Sequence, residues 1–227
     1  MNPGRLVLVP SPIGNLNDIT LRALEVLKSS DVILAEDTRT SSHLLNHFSI
    51  TKKLLSHHAF NEHNAVAGVI SLLKAGQHVA LLSDAGTPGI ADPGFLLVRE
   101  CIRQGIAVEC LPGASALIPA LINSGLPCDR FCFEGFLPHK KGRQTRLLAL
   151  RDETRTMVFY ESPFRVEKTL QQLAEVLGSE RLASVSRELT KIYEETRRGT
   201  LTELTAHFAA TKPLGEFVIV VAGKEKE

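Results

Sequence analysis

Four short apolar runs, RLVLV (5–9), DVILA (31–35), HVALL (78–82) and AVECL (107–111), lack the alternation of a half-exposed strand. Unbroken runs of this length are the pattern of strands buried on both faces, as in a parallel sheet. Between them lie segments with helical spacing. Ile19 to Lys28 carries Leu21, Leu24, Val26 and Leu27 behind a cap expected at Asp18, and Thr38 to Phe48 opens on a capping residue of its own. Further helices are expected through 65–74 and 94–104, stopped by Gly76 and Gly105. Such alternation folds as a parallel α/β domain.

After LPGASALIPALINSGLP (111–127) the pattern changes. RFCFEGF (130–136), RTMVFYES (155–162), LASVSREL (182–189) and EFVIVVAG (216–223) read as strands, with EETRRGT (194–200) a fifth. One helix is expected from Ser162 as N-cap, with Pro163 at its first position, to Leu177 before Gly178; another covers 201–210 from a start near Thr200. A chain of 227 residues is long enough for two modest cores. The expected fold class is therefore two α/β domains, residues 1–116 with a parallel sheet and 117–227 with a mixed sheet, and a ligand cleft between them.

The formal net charge of +1 gives no pervasive basic field, so polyanion binding has to be local. The four cysteines, at 101, 110, 128 and 132, include no Cys-x-x-Cys pair and read as reduced packing residues. The start MNPGRLVLVP lacks signal-peptide character, and no apolar run reaches the roughly 18–20 residues that span a bilayer. A cytoplasmic protein with no membrane contact is expected.

Each run of the first half empties into an unusual loop: PSPIGN (10–15), EDTR (36–39), SDAGTPGIADPG (83–94) and PGASA (112–116). In open parallel sheets ligands sit outside the carboxyl ends of the strands, so the four loops should converge. Glycines at 86, 89 and 94 admit close backbone approach, and prolines at 88 and 93 fix the shape. A single such loop reads equally well as turn punctuation. The nucleotide fingerprints Gly-x-x-x-x-Gly-Lys-Ser/Thr and Gly-x-Gly-x-x-Gly are absent, which speaks against ATP and NAD.

Taken in order and spacing, VPSPIGNLNDIT, AEDTRTSSHLL, LLSDAGTPGIADPG, LPGASALIPAL, GLPCDRFCFEGFLP, FYESPFR and SRELTKIYEE resemble the S-adenosylmethionine-dependent methyltransferases of the tetrapyrrole methylase superfamily that modify small-subunit ribosomal RNA. The resemblance runs from residue 5 to about 223. It implies a folded S-adenosylmethionine in the cleft, methyl transfer to the 2′-hydroxyl of a cytidine in 16S ribosomal RNA, free or in the 30S subunit, and a homodimer. Carried over by motif, the cofactor contacts come from Ser11 and Pro12; from Asp84, Ala85, Gly86, Thr87, Pro88, Gly89 and Ile90; from Ser115 and Ala116; from Phe159 and Tyr160; and from Gly215 and Glu216. Where the wider superfamily has Gly-Asp-Pro, this chain has Gly86-Thr87-Pro88, which speaks against the porphyrin-modifying branches. Family members often continue into a short helical C-terminal domain; this sequence ends at VVAGKEKE.

Residues 138–151, PHKKGRQTRLLALR, hold Lys140, Lys141, Arg143, Arg146 and Arg151 and no acid, and read either as a phosphate-contacting loop and helix or as a solvated helix face. Arg39 and Arg165 add guanidinium forks, Arg165 serving equally well in an ion pair. A ribose hydroxyl is a poor nucleophile and profits from a base. Asp37 is the first candidate, with Glu36 beside it and Glu161 and Glu188 from the second domain; Asp37 also reads as a helix cap or a partner of Arg39. His57, His58 and His63 in HHAFNEHN suggest a metal at first sight, but methyl transfer from a sulfonium needs none, and polar surface or substrate-edge residues are expected there. The alternatives are a same-fold methylase acting on a tetrapyrrole or a protein side chain, and a non-catalytic RNA- or cofactor-binding module.

Overall fold

The computed structural model describes residues 4–58, 62–211 and 213–225, the side chains of 62–64 excepted. The chain divides into two compact units, residues 1–115 and 116–227.

The first unit holds five parallel strands, β1 (Arg5–Val9), β2 (Val32–Ala35), β3 (Lys53–Ser56), β4 (Val79–Leu82) and β5 (Ala107–Cys110), in the order β3-β2-β4-β1-β5. The connections carry α1 (Leu21–Ser29), α2 (Thr38–His47), α3 (Glu62–Lys74) and α4 (Phe95–Arg103). Alternate strand residues face two different cores. Leu6, Leu8, Leu34 and Leu81 pack with Val69 and Leu73 of α3 and Leu97 of α4, whereas Val7, Val9, Ile33 and Leu82 pack with Ala23 and Leu27 of α1 and Leu45 of α2. Two apolar layers on one sheet are why β1, β2 and β4 read as unbroken apolar runs. β5 departs from that expectation: it is an edge strand with half-exposed and exposed residues. β3, on the opposite edge, is four residues long, and its two leucines are flanked by polar residues that leave no strand signature in the sequence.

The helix starts also differ in detail. Asp18 lies in a 3-10 turn over Leu16–Asp18, and the cap of α1 is Thr20, whose hydroxyl accepts from the Ala23 amide at 3.0 Å.

The second unit opens with α5 (Leu117–Ser124) and continues as β6 (Phe131–Phe136), α6 (Arg143–Ala149), β7 (Thr156–Glu161), α7 (Val166–Leu177), β8 (Leu182–Arg187), β9 (Glu195–Thr200), α8 (Leu201–Ala210) and β10 (Phe217–Val221). The sheet order is β6-β7-β10-β8-β9; β6 and β7 are parallel and the other neighbours antiparallel, so the sheet is mixed. One face carries the core of Met157, Phe159, Ile219 and Val185 against Leu147, Leu170, Leu173 and Leu204 of α6, α7 and α8. α5 packs against β8, β9 and β10, and the Arg198 guanidinium of β9 donates to the Asn123 carbonyl at 2.7 Å.

The helix expected from Ser162 begins at Val166 instead. Residues 162–165 form a turn in which the Ser162 carbonyl accepts from the Arg165 and Val166 amides, both at 3.1 Å. α8 begins with a reciprocal cap: the Thr200 hydroxyl accepts from the Glu203 amide at 3.2 Å, and the Glu203 carboxylate accepts from the Thr200 amide at 2.8 Å. Thr200→Ala is expected to cost about 1 kcal/mol, measured as a lower urea midpoint at unchanged m.

The cysteines are all free. Burial pushes the Cys101 and Cys132 thiols up to about 11, which leaves them unreactive. Cys128 is exposed and packs no core.

Candidate functional site

β4 lies between β1 and β2, and β1 between β4 and β5, so the loops leaving these strands emerge along one edge of the first unit. They are bonded to each other. Ser11 and Gly86 exchange both backbone hydrogen bonds, at 2.9 and 3.0 Å. The Ser11 hydroxyl donates to the Ser83 carbonyl at 2.9 Å, and the Ser83 hydroxyl to the Gly86 carbonyl at 2.7 Å. The Thr87 hydroxyl donates to the Ala114 carbonyl at 3.2 Å, joining the loop after β4 to the one after β5. Gly86 has φ +80°, and a Cβ there would meet nothing closer than Ile13 at 3.5 Å. Backbone conformation rather than crowding is what requires glycine at this position.

Of the residues expected at a cofactor, Ser11, Pro12, Gly86 and Pro88 are buried, while Ala85 and Ile90 are exposed. The hydroxyls of Ser11 and Thr87 are engaged in joining loops. Ser11 and Gly86 spend their backbone groups on each other, so of these residues it is Ala85 and Ile90 that stand exposed. Ser115 closes the first unit and Ala116 opens the second as the N-cap of α5.

Carboxylates give the edge its chemistry. Burial, then the nearby charges of Asp92 and Asp84, push Glu36 from 4.5 up to about 7. Burial and Asp84 push Asp92 up to about 6. Asp37 behaves oppositely. Hydrogen bonds from the Arg39 side chain and amide hold it at about 2. Its Oδ1 accepts from the Arg39 amide at 2.8 Å, capping α2, and its Oδ2 from the guanidinium at 2.7 Å. The Asp37 amide in turn donates to Asp84 Oδ1 at 3.1 Å. Asp92 escaped the sequence reading as a partner of Glu36 because they meet only through the fold.

In the second unit Glu161 is 3% exposed and fully engaged. It accepts from the Ser162 amide at 2.7 Å, the Arg165 guanidinium at 2.8 Å and the Thr169 hydroxyl at 2.7 Å. Glu188 sits at φ +50° and accepts from the Lys191 ammonium and the Glu216 amide, both at 2.9 Å. Burial opposes its ionisation, but these two donors outweigh it and hold Glu188 below the usual carboxylate range. Gly215, at φ +96°, makes room: a Cβ there would lie 2.5 Å from the Glu188 carboxyl carbon. Glu216 also binds Lys191, at 3.0 Å. The Phe159 side chain is buried in the core, so only its backbone is available to a ligand; Tyr160, half-buried, meets Phe133 and Phe136 edge-on at 4.9 and 5.6 Å.

The expected RNA-contacting residues divide sharply. Lys140, Lys141 and Arg151 are exposed and form no ion pair among the described residues. Arg146 binds Glu134 at 2.7 Å, and Arg39 is held by Asp37. Arg143 corrects the sequence reading: it is 7% exposed and donates inward to Gln172 and Thr169, both at 2.7 Å, and to the Pro138 carbonyl at 3.2 Å. Arg165 takes the ion-pair role with Glu161. A sequence signal for this network existed in the spacing of Glu161, Arg165 and Thr169, four residues apart.

His57 is fully buried just after β3, its amide donating to the Ala35 carbonyl at 2.8 Å, so of the surface and substrate-edge readings the structure removes the first for this residue. The side chains of Asn61, Glu62, His63 and Asn64 lie outside the described residues. Among the described residues no group of three His, Cys, Asp or Glu is placed to hold a metal ion, and no helix is long and apolar enough to cross a membrane.

Residues 5–205 match the family described as Tetrapyrrole (Corrin/Porphyrin) Methylases. A ribosomal RNA small subunit methyltransferase I from Thermotoga maritima is 48% identical over 222 residues, covering 98% of this chain and 100% of its own length. The protein of the same name from a Synechocystis species is 51% identical over 225 residues, covering 99% of this chain and 81% of its own. Among solved structures, a uroporphyrin-III C-methyltransferase from Thermus thermophilus, complexed with S-adenyl homocysteine, superposes with a TM-score of 0.65 at 20% identity, over 97% of this chain and 98% of its own. Likeness at that identity shows the fold, and the family match and the two relatives show the rest: this chain belongs to the tetrapyrrole methylases, and within them to the group named ribosomal RNA small subunit methyltransferase I.

Proposed function

We propose that this methyltransferase moves a methyl group from S-adenosylmethionine to the 2′-hydroxyl of a cytidine in 16S ribosomal RNA. The observation that carries the reading is identity of 48% and 51%, sustained over nearly the whole chain, with proteins named for methylating small-subunit ribosomal RNA. The edge of the first unit suits such a cofactor in two respects. Its loops are built of small residues, and Glu36, Asp84 and Asp92 gather carboxylates that would favour a cationic sulfur. S-adenosylmethionine supplies an electrophilic methyl group carried on that sulfur. Ser11, Pro12 and residues 84–90 would hold it.

The acceptor hydroxyl must lose its proton as the new bond forms, and Glu36 is the residue best matched to take it. A base works best when its pKa lies near the operating pH, and Glu36 at about 7 meets that condition. Asp37, the first choice from sequence, is occupied by Arg39 and held at about 2. Asp37→Asn is accordingly expected to keep kcat within a few-fold, since asparagine also caps helices. A loss of a hundredfold or more would return Asp37 to the mechanism.

In the same reading the enzyme works in the cytoplasm on ribosomal subunits and as a homodimer. Exposed Ile118 and Ile122, one turn apart on α5, provide an apolar stripe for a second copy, whereas Ala120, Leu121 and Ser124 face inward. Labelled S-adenosylmethionine incubated with 30S subunits and with free 16S ribosomal RNA tests the reading. Label at a single ribose 2′-oxygen is the expected result; tight cofactor binding with no transfer to either would indicate a binding module.

A further inference from the structure

β6 and β7 are adjacent and parallel, so the loops that follow them leave the same edge of the second unit side by side. The β6 loop, 137–142, carries exposed Lys140 and Lys141. The β7 loop, 162–165, carries Phe164, a residue 95% exposed. A phenylalanine left almost wholly in water is a poor use of an apolar ring unless something covers it.

Neither loop is loosely held. Arg165 donates to the Leu137 carbonyl at 3.2 Å and binds Glu161 at 2.8 Å, fastening one loop to the base of the other. Arg143 donates to the Pro138 carbonyl and to Thr169, and Thr169 to Glu161. Pro163 stiffens the turn further. Thus the two loops that carry the ring and the ammonium groups are braced at Leu137, Pro138 and Arg165, and the ordering cost of their backbone is met in folding rather than in binding.

An exposed ring on one loop, and on the neighbouring loop two cations with no ion pair among the described residues, in a stretch with no acid from 138 to 151, match single-stranded nucleic acid, whose unstacked bases lie on aromatic faces while its phosphates meet lysines. Resting on the ribosomal RNA reading above, we infer that the 137–142 and 162–165 loops form a contact for a single-stranded segment of the RNA substrate, in which a base stacks on Phe164 and Lys140 and Lys141 hold the flanking phosphates. Arg143 and Arg165 brace the loops and do not touch RNA. Phe164, Lys140 and Lys141 are not among the residues assigned to the cofactor or to proton transfer, and the contact is accordingly assigned to RNA affinity.

The test compares wild type with Phe164→Ala, Phe164→Trp, Phe164→Leu and the double variant Lys140→Ala/Lys141→Ala. Two quantities are followed: steady-state methylation of 16S ribosomal RNA, and equilibrium binding of a single-stranded decanucleotide containing 2-aminopurine. Phe164→Ala should raise both KM for RNA and Kd for the decanucleotide on the order of 10- to 100-fold, abolish the stacking quench of 2-aminopurine, and leave kcat and cofactor affinity unchanged. Tryptophan should restore binding and leucine should not. The lysine variant should reduce the slope of log Kd against log salt by about 1.4, about 0.7 for each phosphate contact, a slope that Phe164→Ala leaves alone. Wild-type KM and Kd in Phe164→Ala would overturn the inference. So would conversion of a dimer to a monomer by that variant, since the ring would then cover a second copy. Quenched binding by a wild-type protein that methylates no ribosomal RNA would uphold the contact and refute the ribosomal reading instead.

Discussion

Glu36→Gln should lower the methylation rate by about a hundred- to ten-thousandfold, the usual range for loss of a general base, and should also make the protein harder to unfold above pH 7. The two effects share one cause. Burial and the charges of Asp92 and Asp84 hold Glu36 at about 7 rather than 4.5, so the fold favours its protonated form. That stabilisation is fully present below pH 4.5 and is lost as pH rises through about 7. Glutamine cannot ionise and so removes the loss. With the side chain partly in solvent, the gain above pH 7 is about 1 kcal/mol, well under the unscreened value, and it vanishes below pH 4.5. In wild type kcat/KM should climb with pH and level off above about 7; in the variant that limb should be missing. Unfolding midpoints at pH 4 and pH 8, set beside pH–rate profiles, measure both. A variant with full turnover and an unchanged profile would remove Glu36 from catalysis.

The largest stability effect is expected at Glu161. Its carboxylate is almost wholly buried and binds Arg165, Thr169 and the Ser162 amide, with Arg143 joined through Thr169. Glu161→Ala leaves the Arg165 guanidinium in a largely buried position without its counter-ion, which costs about 3–5 kcal/mol. Removing both charges in Glu161→Gln/Arg165→Met should recover much of that loss. Chemical denaturation followed by circular dichroism gives both values. If the single variant unfolds at the wild-type denaturant concentration, the network is not what holds the 137–142 and 162–165 loops.

These two glutamates also show where the sequence was readable and where it was not. β1, β2 and β4 were legible because burial on both faces leaves an unbroken apolar run. β3 was not, because KLLS at a sheet edge contains too little apolar residue to show a period. The convergence of four loops was legible from topology alone. The opposite ionisation of Glu36 and Asp37 was not, since both are acids at one strand end. What separates them is Asp84 and Asp92, brought in from another loop, and an arginine only two residues from Asp37. Arg143 was misread for a similar reason: an acid-free stretch looks like one basic surface until Thr169 and Gln172, supplied by α7, turn one of its members inward.

The position of β4 between β1 and β2 has a consequence for how the chain is made. As it leaves the ribosome, β1 and β2 emerge first, and in the finished sheet they never touch; the strand that parts them is still unsynthesised. The bonds that join the loops at this edge reach far along the chain: that from Ser11 to Ser83 spans 72 positions. The joined loops are therefore absent from every nascent chain that stops short of β4, the strand that fills the middle of the sheet. A chain built this way folds at the pace of its long-range pairing rather than of its helices, and a half-made copy lacks the joined loops altogether.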